Sequence, residues 1–409
     1  MVATLADDRY IVISADCHAG APMHDYRVYL EQRWLDEFDT WAASYQNPFD
    51  DLEGDAATRN WDSERRVREL EDDGVVAEVL FPNTVPPFFP SGLLTTRQPT
   101  DRDDYEHRMA GLRAHNRWLA DFCAEAPGRR AGIAQIFLTD VDDAVAEIRW
   151  ARDANLFGGI LLPGVPPDSG LPPLYAPDYE PIWATCEDLD MPINNHAGQA
   201  NPEFGNYEAS PAVFIIELSW YSHRVFWHMV FGNVFARHPK LKLALTEQAS
   251  GWIPNVLTML DQQFDRFQKP GTAEYRISGA LAEKLGASPS EFWARNCFAG
   301  SSFLRPSECA LRYEIGVDKI MWGADYPHVE GTYPYTRESL RNTFAGVPTD
   351  EIAAMLGGNA ARVYGFDIDA LAPIAARVGP TVDEVAVPLD VVPPDAYSVA
   401  FSGEQPKPW

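Results

Sequence analysis

The sequence has no long apolar run and few thiols. No stretch of about 18 apolar residues occurs in its 409 residues, so we expect no membrane-spanning helix. None of its five cysteines forms a Cys-x-x-Cys pair, which argues against a thiolate zinc site, and an odd number of thiols fits a reducing compartment. The first residues lack the basic-then-apolar order of a secretion signal. We therefore predict a cytoplasmic protein.

Basic residues are also scarce. Lysine and arginine number 33 against 60 aspartates and glutamates, which gives a formal net charge of −27. A chain with this excess of negative charge is not expected to bind nucleic acid or an anionic membrane. We expect its partner to be a small molecule instead.

What the sequence does contain is a series of eight short apolar runs separated by helical patterns. This alternation indicates a parallel sheet with crossover helices, and eight units in order predict an α/β fold of the (β/α)8 TIM-barrel type. The predicted strands cover residues 10–15, 75–81, 131–137, 158–162, 192–196, 241–246, 297–301 and 319–324.

The remaining segments set the predicted domain limits. We predict one metal-dependent barrel domain over residues 1–368, with an aromatic and acidic insertion at 38–62 after the first strand. Residues 369–409 form a proline-rich C-terminal tail in this prediction. The insertion is a candidate lid or oligomer contact, and together with the tail it makes us expect a homodimer.

Carboxylate and imidazole side chains stand where the predicted strands end. Asp16 and His18 follow the first strand, His196 ends the fifth, Glu247 follows the sixth and Asp325 follows the eighth. A parallel barrel brings the carboxyl ends of its strands to one face, so we expect these side chains to converge. Imidazoles and carboxylates without thiolate suit zinc, manganese or iron, and several carboxylates favour iron or manganese. The pattern therefore predicts a divalent-metal site.

Three further histidines lie near these strand ends. His328 stands three residues past Asp325 and is a candidate acid–base group or a support for the ligands. His223 and His228 belong to a long helical pattern before the sixth strand. Five helical positions subtend about 500°, so the two rings face directions about 140° apart and only one can face the pocket. We favour His223 as the ligand and place the other histidine in the core.

Taken together, the motifs resemble the amidohydrolase superfamily, in particular its amidohydrolase-related branch, which includes non-oxidative aromatic decarboxylases. The resemblance covers roughly residues 9–367. It implies a metal held by Asp16, His18, His196 and Asp325. The motifs that support it are Asp16-Cys-His18, Asn194-Asn-His196-Ala-Gly198, the stretch 238–247, Trp322-Gly-Ala-Asp-Tyr-Pro-His328 and Gly358-Asn-Ala-Ala-Arg-Val-Tyr364.

The chain departs from the family pattern at two strands. The superfamily usually has His-x-His after the first strand, whereas this chain begins the motif with Asp16, as members of the decarboxylase branch do. The resemblance to those decarboxylases implies a catalytic histidine after the sixth strand, but this chain has Glu247 there. A carboxylate there is suited to ligating or bridging a second metal. No lysine ends the fourth strand, so the carbamylated-lysine bridge of some relatives is not expected.

The departure at Glu247 leads to our first functional hypothesis, a binuclear non-haem iron monooxygenase. The arrangement resembles a TIM-barrel branch of di-iron monooxygenases that favours coenzyme-A-linked substrates. Such an enzyme would hydroxylate a sizeable apolar substrate and would need an external electron donor. Its two irons would be bound by Asp16, His18, His196, Glu247, Asp325 and His223.

The alternative hypothesis is the older chemistry of the family. A zinc- or manganese-dependent enzyme would hydrolyse an ester, thioester, lactone or amide, or would decarboxylate an aromatic acid without oxidation. Asp325 or His328 would then move the proton, and the catalytic candidates over both hypotheses are His328, Glu247 and His223. A third hypothesis is a binding protein that kept the barrel without the chemistry.

Overall fold

A computed structural model of the chain describes residues 5–48, 51–83, 85–93 and 95–402. Eight parallel strands form one sheet, and each pairs with its neighbour in chain order. The strands are β1 Ile13–Ala19, β2 Ala77–Pro82, β3 Arg130–Gln135, β4 Gly159–Leu161, β5 Ile193–His196, β6 Leu243–Thr246, β7 Cys297–Ser302 and β8 Ile320–Gly323. All eight predicted strands are present.

The sheet closes between its first and last strands. Cys17 and Tyr326 form an isolated parallel bridge. The amide of His18 donates to the carbonyl of Tyr326 at 2.7 Å, and the amide of Asp325 donates to the carbonyl of Asp16 at 2.8 Å. We call this junction, formed by residues 16–18 and 325–326, the seam. The closed sheet with its surrounding helices confirms the (β/α)8 barrel.

Helices connect and surround the strands. Among the described residues, no helix is long and apolar enough to cross a membrane. The α-helices are α1 Leu35–Ala42, α2 Ser63–Asp72, α3 Arg102–Ala124, α4 Val141–Asp153, α5 Glu180–Asp188, α6 Ser210–Glu217, α7 Trp220–Phe231, α8 Val234–Arg237, α9 Ile253–Gln268, α10 Ala273–Leu285, α11 Pro289–Asn296, α12 Pro306–Ala310, α13 Arg312–Ile315, α14 Thr336–Phe344, α15 Thr349–Ala353, α16 Asn359–Tyr364, α17 Ile368–Val378 and α18 Val382–Ala386.

Neighbouring residues along the strands pack into two different cores. Ile133 and Ala244 belong to a cluster with the C-terminal helices, whereas Ala134 and Leu243, next to them in sequence, belong to the larger cluster beneath the surrounding helices. This period of two is what a strand buried on both faces produces. It explains why the strands read as nearly continuous apolar runs in the sequence.

A β-bulge interrupts this alternation in β1. The pairing register of β1 with β2 shifts between Ser14 and Cys17. Ala15 packs in the core that contains the C-terminal helices, whereas Cys17 packs in the larger core beneath the surrounding helices, the helix-facing core. The extra residue therefore turns both Asp16 and His18 towards the barrel axis. Cys17 itself packs away from its two neighbours, and its side chain is fully buried in the helix-facing core.

The insertion and the tail both contain helical turns. Within the predicted insertion, residues 56–60 form a 3-10 helix. Helix α17 crosses the predicted boundary at residues 368 and 369, and it buries Leu371 and Ala375. The division into a domain at 1–368 and a tail at 369–409 stays a prediction. The last seven residues of that tail, 403–409, lie outside the described residues.

Candidate metal centre

Four of the predicted ligands meet at the carboxyl ends of β1, β5 and β6. Suitable ligand atoms of Asp16, His18, His196 and Glu247 all lie within 4.8 Å of one another. Nε2 of His18 is 3.4 Å from Oδ1 of Asp16, and Nε2 of His196 is 3.0 Å from Oε2 of Glu247. Asp325 closes the group from β8, with its Oδ1 3.1 Å from Nε2 of His18.

Both imidazoles turn the same nitrogen towards this cluster. Nδ1 of His18 lies 3.5 Å from the carbonyl of Pro82, and Nδ1 of His196 lies 3.1 Å from the carbonyl of Ala197. A carbonyl only accepts, so Nδ1 must have the hydrogen in the neutral ring. Nε2 then has a lone pair, which is the form that binds a metal ion.

The spacing of these atoms fits one cation. Metal bonds of about 2.0–2.2 Å place two ligand atoms of one ion roughly 3 to 4.4 Å apart. Oδ1 of Asp16, Nε2 of both histidines and both oxygens of Asp325 are buried and form no hydrogen bond with any described residue. Buried polar atoms are nearly always satisfied, so a convergent set of unsatisfied ones marks a place for an ion. The residues present therefore fit a divalent metal.

The electrostatics of the centre lead to the same conclusion. Burial raises the pKa of Asp325 well above its ordinary value, and the charges of Glu247 and Asp16 add to this effect. Burial alone would raise the pKa of Asp16, but the imidazoles of His18 and His196 outweigh it and lower that pKa. Three carboxylates thus crowd around two imidazoles in a buried space. A divalent cation would relieve their mutual repulsion.

The backbone bends sharply just after two of the strands, at two of the predicted ligands. Glu247 and Asp325 both have left-handed conformations, with φ of 56° and 57°. Such conformations are costly for residues with side chains and occur where the surrounding structure requires them. Here they aim the carboxylates back over the ends of β6 and β8. Ser302, at the end of β7, fixes Asp16 by donating its hydroxyl hydrogen to Oδ2.

His328 lies beside the cluster, as the sequence predicts. Its ring is 4.8 Å from that of His18 in an edge-on arrangement, and ligand atoms of His18, Asp325 and His328 lie within 4.8 Å of one another. On its other side, Nδ1 is 3.6 Å from Oδ2 of Asp51 in the insertion. Burial alone would lower the pKa of His328, but Asp325 and Asp51 raise it.

His223 is not brought into either group of ligand atoms. The long helical pattern before β6 is broken into α6, α7 and α8, and α7 packs against β5. His223 stacks on Trp252 with ring centres 3.9 Å apart, and its Nε2 lies 3.2 Å from the carbonyl of Gln248. Burial lowers its pKa to about 4. The role of His223 as a ligand stays a prediction that this geometry does not favour.

His228, the alternative to His223, is a buried core residue. Its ring meets that of Tyr175 edge-on, with centres 5.0 Å apart. The surroundings of the site also include three residues that the sequence did not reveal, namely Asp51, Arg66 and Ser302. The position of Ser302 at the end of the seventh strand could have indicated its role, because the other site residues were found at strand ends. Asp51 and Arg66 have no local signal, since each contacts the site from a distant segment.

A (β/α)8 barrel with carboxylates and imidazoles at the carboxyl ends of its strands defines a class of barrel enzymes that bind a cation at the mouth. The chain belongs to the amidohydrolase family, whose sequence profile matches residues 15–366. This match agrees with the resemblance seen in the motifs.

Curated relatives of the chain include gamma-resorcylate decarboxylase from Rhodococcus jostii (strain RHA1). It is 28% identical over 228 residues, which cover 53% of this chain and 65% of the relative. The chain thus spans slightly less than two thirds of that relative's length.

Solved structures with the same fold include 5-carboxyvanillate decarboxylase from Sphingomonas paucimobilis, with a TM-score of 0.61 and 20% identity over 87% of this chain and 99% of that one. A dihydroxybenzoic acid decarboxylase from Polaromonas sp. JS666, solved with manganese and the inhibitor 2-nitroresorcinol, has a TM-score of 0.59 and 18% identity over 87% and 97% of the two chains. At these identities the likeness shows the shared fold.

Proposed function

We propose that the chain is a divalent-metal-dependent, non-oxidative decarboxylase of a hydroxylated aromatic acid. One observation carries the proposal: Asp16, His18, His196 and Glu247 present ligand atoms within 4.8 Å of one another, and Asp325 contacts His18, in a chain whose curated relatives include an aromatic acid decarboxylase. The manganese bound in one neighbouring structure supports manganese over iron or zinc. This is the alternative hypothesis of the sequence analysis.

The chain's own residues divide the work of such a reaction. A bound divalent cation would polarise the phenolic and carboxylate oxygens of the substrate. Phe81 supplies an apolar wall, because its ring centre lies 4.8 Å from that of His196 and 5.9 Å from that of His18. His328, whose pKa is raised, donates a proton to the aromatic carbon of the substrate that holds the carboxylate. The bond between that carbon and the carboxylate carbon breaks at the same time. Carbon dioxide leaves, and no oxidant or reductant is needed.

The test is an anaerobic assay of Mn²⁺-loaded protein. The substrates are 2,6-dihydroxybenzoate and 5-carboxyvanillate, and the readouts are released carbon dioxide and the arene product. His196→Ala is expected to lose the metal and the activity together. His328→Gln is expected to keep the metal and to lose about 10²–10⁴-fold in kcat, the usual contribution of a general acid. Cleavage of an aryl ester without carbon dioxide release would instead establish the hydrolase.

The di-iron monooxygenase remains the second candidate, on one observation. Two of the groups of ligand atoms in the described part of the chain share His18, one with Glu247 and one with His328. The comparisons do not support iron, a coenzyme-A-linked substrate or an external electron donor. Two irons per chain together with substrate-dependent oxygen uptake would establish this activity and exclude the decarboxylase.

The expected homodimer also belongs to this proposal. None of the eight described residues of α6 is buried, and its Ile215 and Ile216 are 65% and 67% exposed. An exposed apolar helix is a surface that a second copy of the chain would cover. Sedimentation of the protein and of an Ile215→Glu, Ile216→Glu variant tests it. A monomeric wild-type protein would rule the dimer out.

A further inference from the structure

Arg66 reaches from α2 to both sides of the seam. Its Nη1 donates to the carbonyl of His18 at 2.7 Å, and its Nη2 lies 3.5 Å from the carbonyl of Tyr326. The guanidinium also lies 4.7 Å from the centre of the Tyr326 ring. Arg66 is fully buried. Arg66 therefore contacts both His18, which is a predicted ligand, and Tyr326, which is next to the predicted ligand Asp325.

The seam is the place where the barrel has the least regular pairing. Within the described residues, β1 is bridged there only through Cys17 to Tyr326, which follows β8, whereas the other neighbouring strands form ladders. Three of the predicted ligands lie on its two sides, Asp16 and His18 on one and Asp325 on the other. The separation of these ligands thus depends on few backbone hydrogen bonds.

A buried carboxylate fixes the direction of the Arg66 side chain. Glu78 on β2 accepts from Nε of Arg66 at 2.8 Å, and its Oε2 lies 2.7 Å from Nη2. The pair leaves Nη1 free to point at the carbonyls of His18 and Arg59, at 2.7 and 3.0 Å. A paired and planar guanidinium is a rigid support, because its donors are fixed relative to one another.

We infer that Arg66 is a positioning residue of the metal centre, which sets the distance across the seam between Asp16 and His18 on one side and Asp325 on the other. The inference rests on the proposed metal site. Groups that orient metal ligands typically contribute 10–100-fold to metal affinity. Arg66 acts on the backbone of the ligand segments and does not touch the ion.

Arg130 offers a matched control. It is also fully buried, and its Nε donates to the same Glu78 at 3.2 Å. Its other hydrogen bonds within the described ranges go to Ser63 and Phe122. Replacing Arg130 therefore disturbs the same buried ion pair without removing a bond to the seam.

The experiment compares Arg66→Lys with Arg130→Lys. The dissociation constant for Mn²⁺ is measured by electron paramagnetic resonance, and the stability of the metal-free proteins is measured by urea unfolding with a chelator. We expect both variants to lose stability. Only Arg66→Lys should weaken Mn²⁺ binding by 10-fold or more and alter the resonance of the bound ion.

Each outcome bears on the inference. Equal losses of Mn²⁺ affinity in the two variants, or wild-type affinity in folded Arg66→Lys, would overturn it. If Arg66→Lys does not fold, Glu78→Gln replaces it, and unchanged Mn²⁺ affinity in that variant would overturn the inference too. A wild-type protein that binds no Mn²⁺ would instead refute the proposed function.

Discussion

The carboxylate of Asp51 lies 3.6 Å from Nδ1 of His328. The same carboxylate accepts a hydrogen bond from the amide of Val329 at 3.2 Å. The insertion after β1 therefore contacts the segment that follows β8, next to the metal centre. It links the segment containing the proposed proton donor to a part of the chain almost 280 residues away.

Asp51→Asn should change the pH dependence of catalysis. Burial alone would lower the pKa of His328, and Asp325 and Asp51 raise it, so the loss of the Asp51 charge should lower that pKa. His328 would then lose its proton at lower pH. The alkaline limb of the kcat profile should move to lower pH, and kcat at neutral pH should fall about 10-fold. Glu53→Gln, on an exposed side chain of the same insertion, is the control and should leave the profile unchanged.

Asp73→Asn should stabilise the protein at alkaline pH. Burial raises the pKa of Asp73 to about 7, although Thr336 donates its amide to the carboxylate at 3.2 Å. The folded state then binds more protons than the unfolded state between about pH 4 and pH 7, so stability falls as the pH rises through that window. The variant removes this loss. Its advantage in free energy of unfolding should be about 2 kcal/mol larger at pH 8 than at pH 5.

Urea unfolding at both pH values, with a chelator present, measures this difference. Asp72→Asn is the control, because Asp72 is exposed beside Asp73. An advantage of Asp73→Asn that does not grow with pH would contradict the prediction.

Gly323→Ala should weaken metal binding, because Gly323 lies directly against Asp16. A Cβ at position 323 would lie 2.7 Å from Cβ of Asp16, closer than real Cβ atoms approach. Asp16 must therefore move, and we expect Mn²⁺ affinity to fall 10-fold or more and stability to fall by about 1–3 kcal/mol. In Gly251→Ala the nearest contact is 3.9 Å, on Glu308, so this variant should retain wild-type affinity. Metal titration of both proteins checks the prediction.

The variant His223→Phe tests whether His223 is a metal ligand or a structural support. The ring stacks on Trp252, and its Nε2 faces the carbonyl of Gln248, next to Glu247. Phenylalanine keeps the stacking and loses the hydrogen bond, which should reduce stability by about 1 kcal/mol. We expect the Mn²⁺ content to equal that of the wild-type protein, measured by elemental analysis. A variant that loses its metal would show that His223 is a ligand, as the sequence analysis suggested.

The sequence predicted the parts of the molecule that depend on local pattern. The eight apolar runs revealed the strands, and Asp16, His18, His196, Glu247 and Asp325 stand at their ends because a barrel exposes those ends on one face. The bulge in β1 was not visible, since one extra residue leaves no signature in an apolar run. It nevertheless decides which way Asp16 points.

Long-range contacts account for what the sequence could not reveal. Arg66 looks like one charge among many on an amphipathic helix, yet it is fully buried and contacts residues 48 and 260 positions away. The surroundings of His223 were also out of reach, because Trp252 and Gln248, which its ring contacts, belong to another segment of the chain. Helical periodicity describes a face of one helix and not what that helix packs against.

The seam also has a consequence for biosynthesis. The predicted ligands Asp16 and Asp325 are separated by more than 300 residues, so an emerging polypeptide cannot assemble the centre until its eighth strand has left the ribosome. Once assembled, a captured ion would join the two ends of the barrel and favour the completed fold by mass action. Chains truncated before the eighth strand should therefore be both metal-free and short-lived.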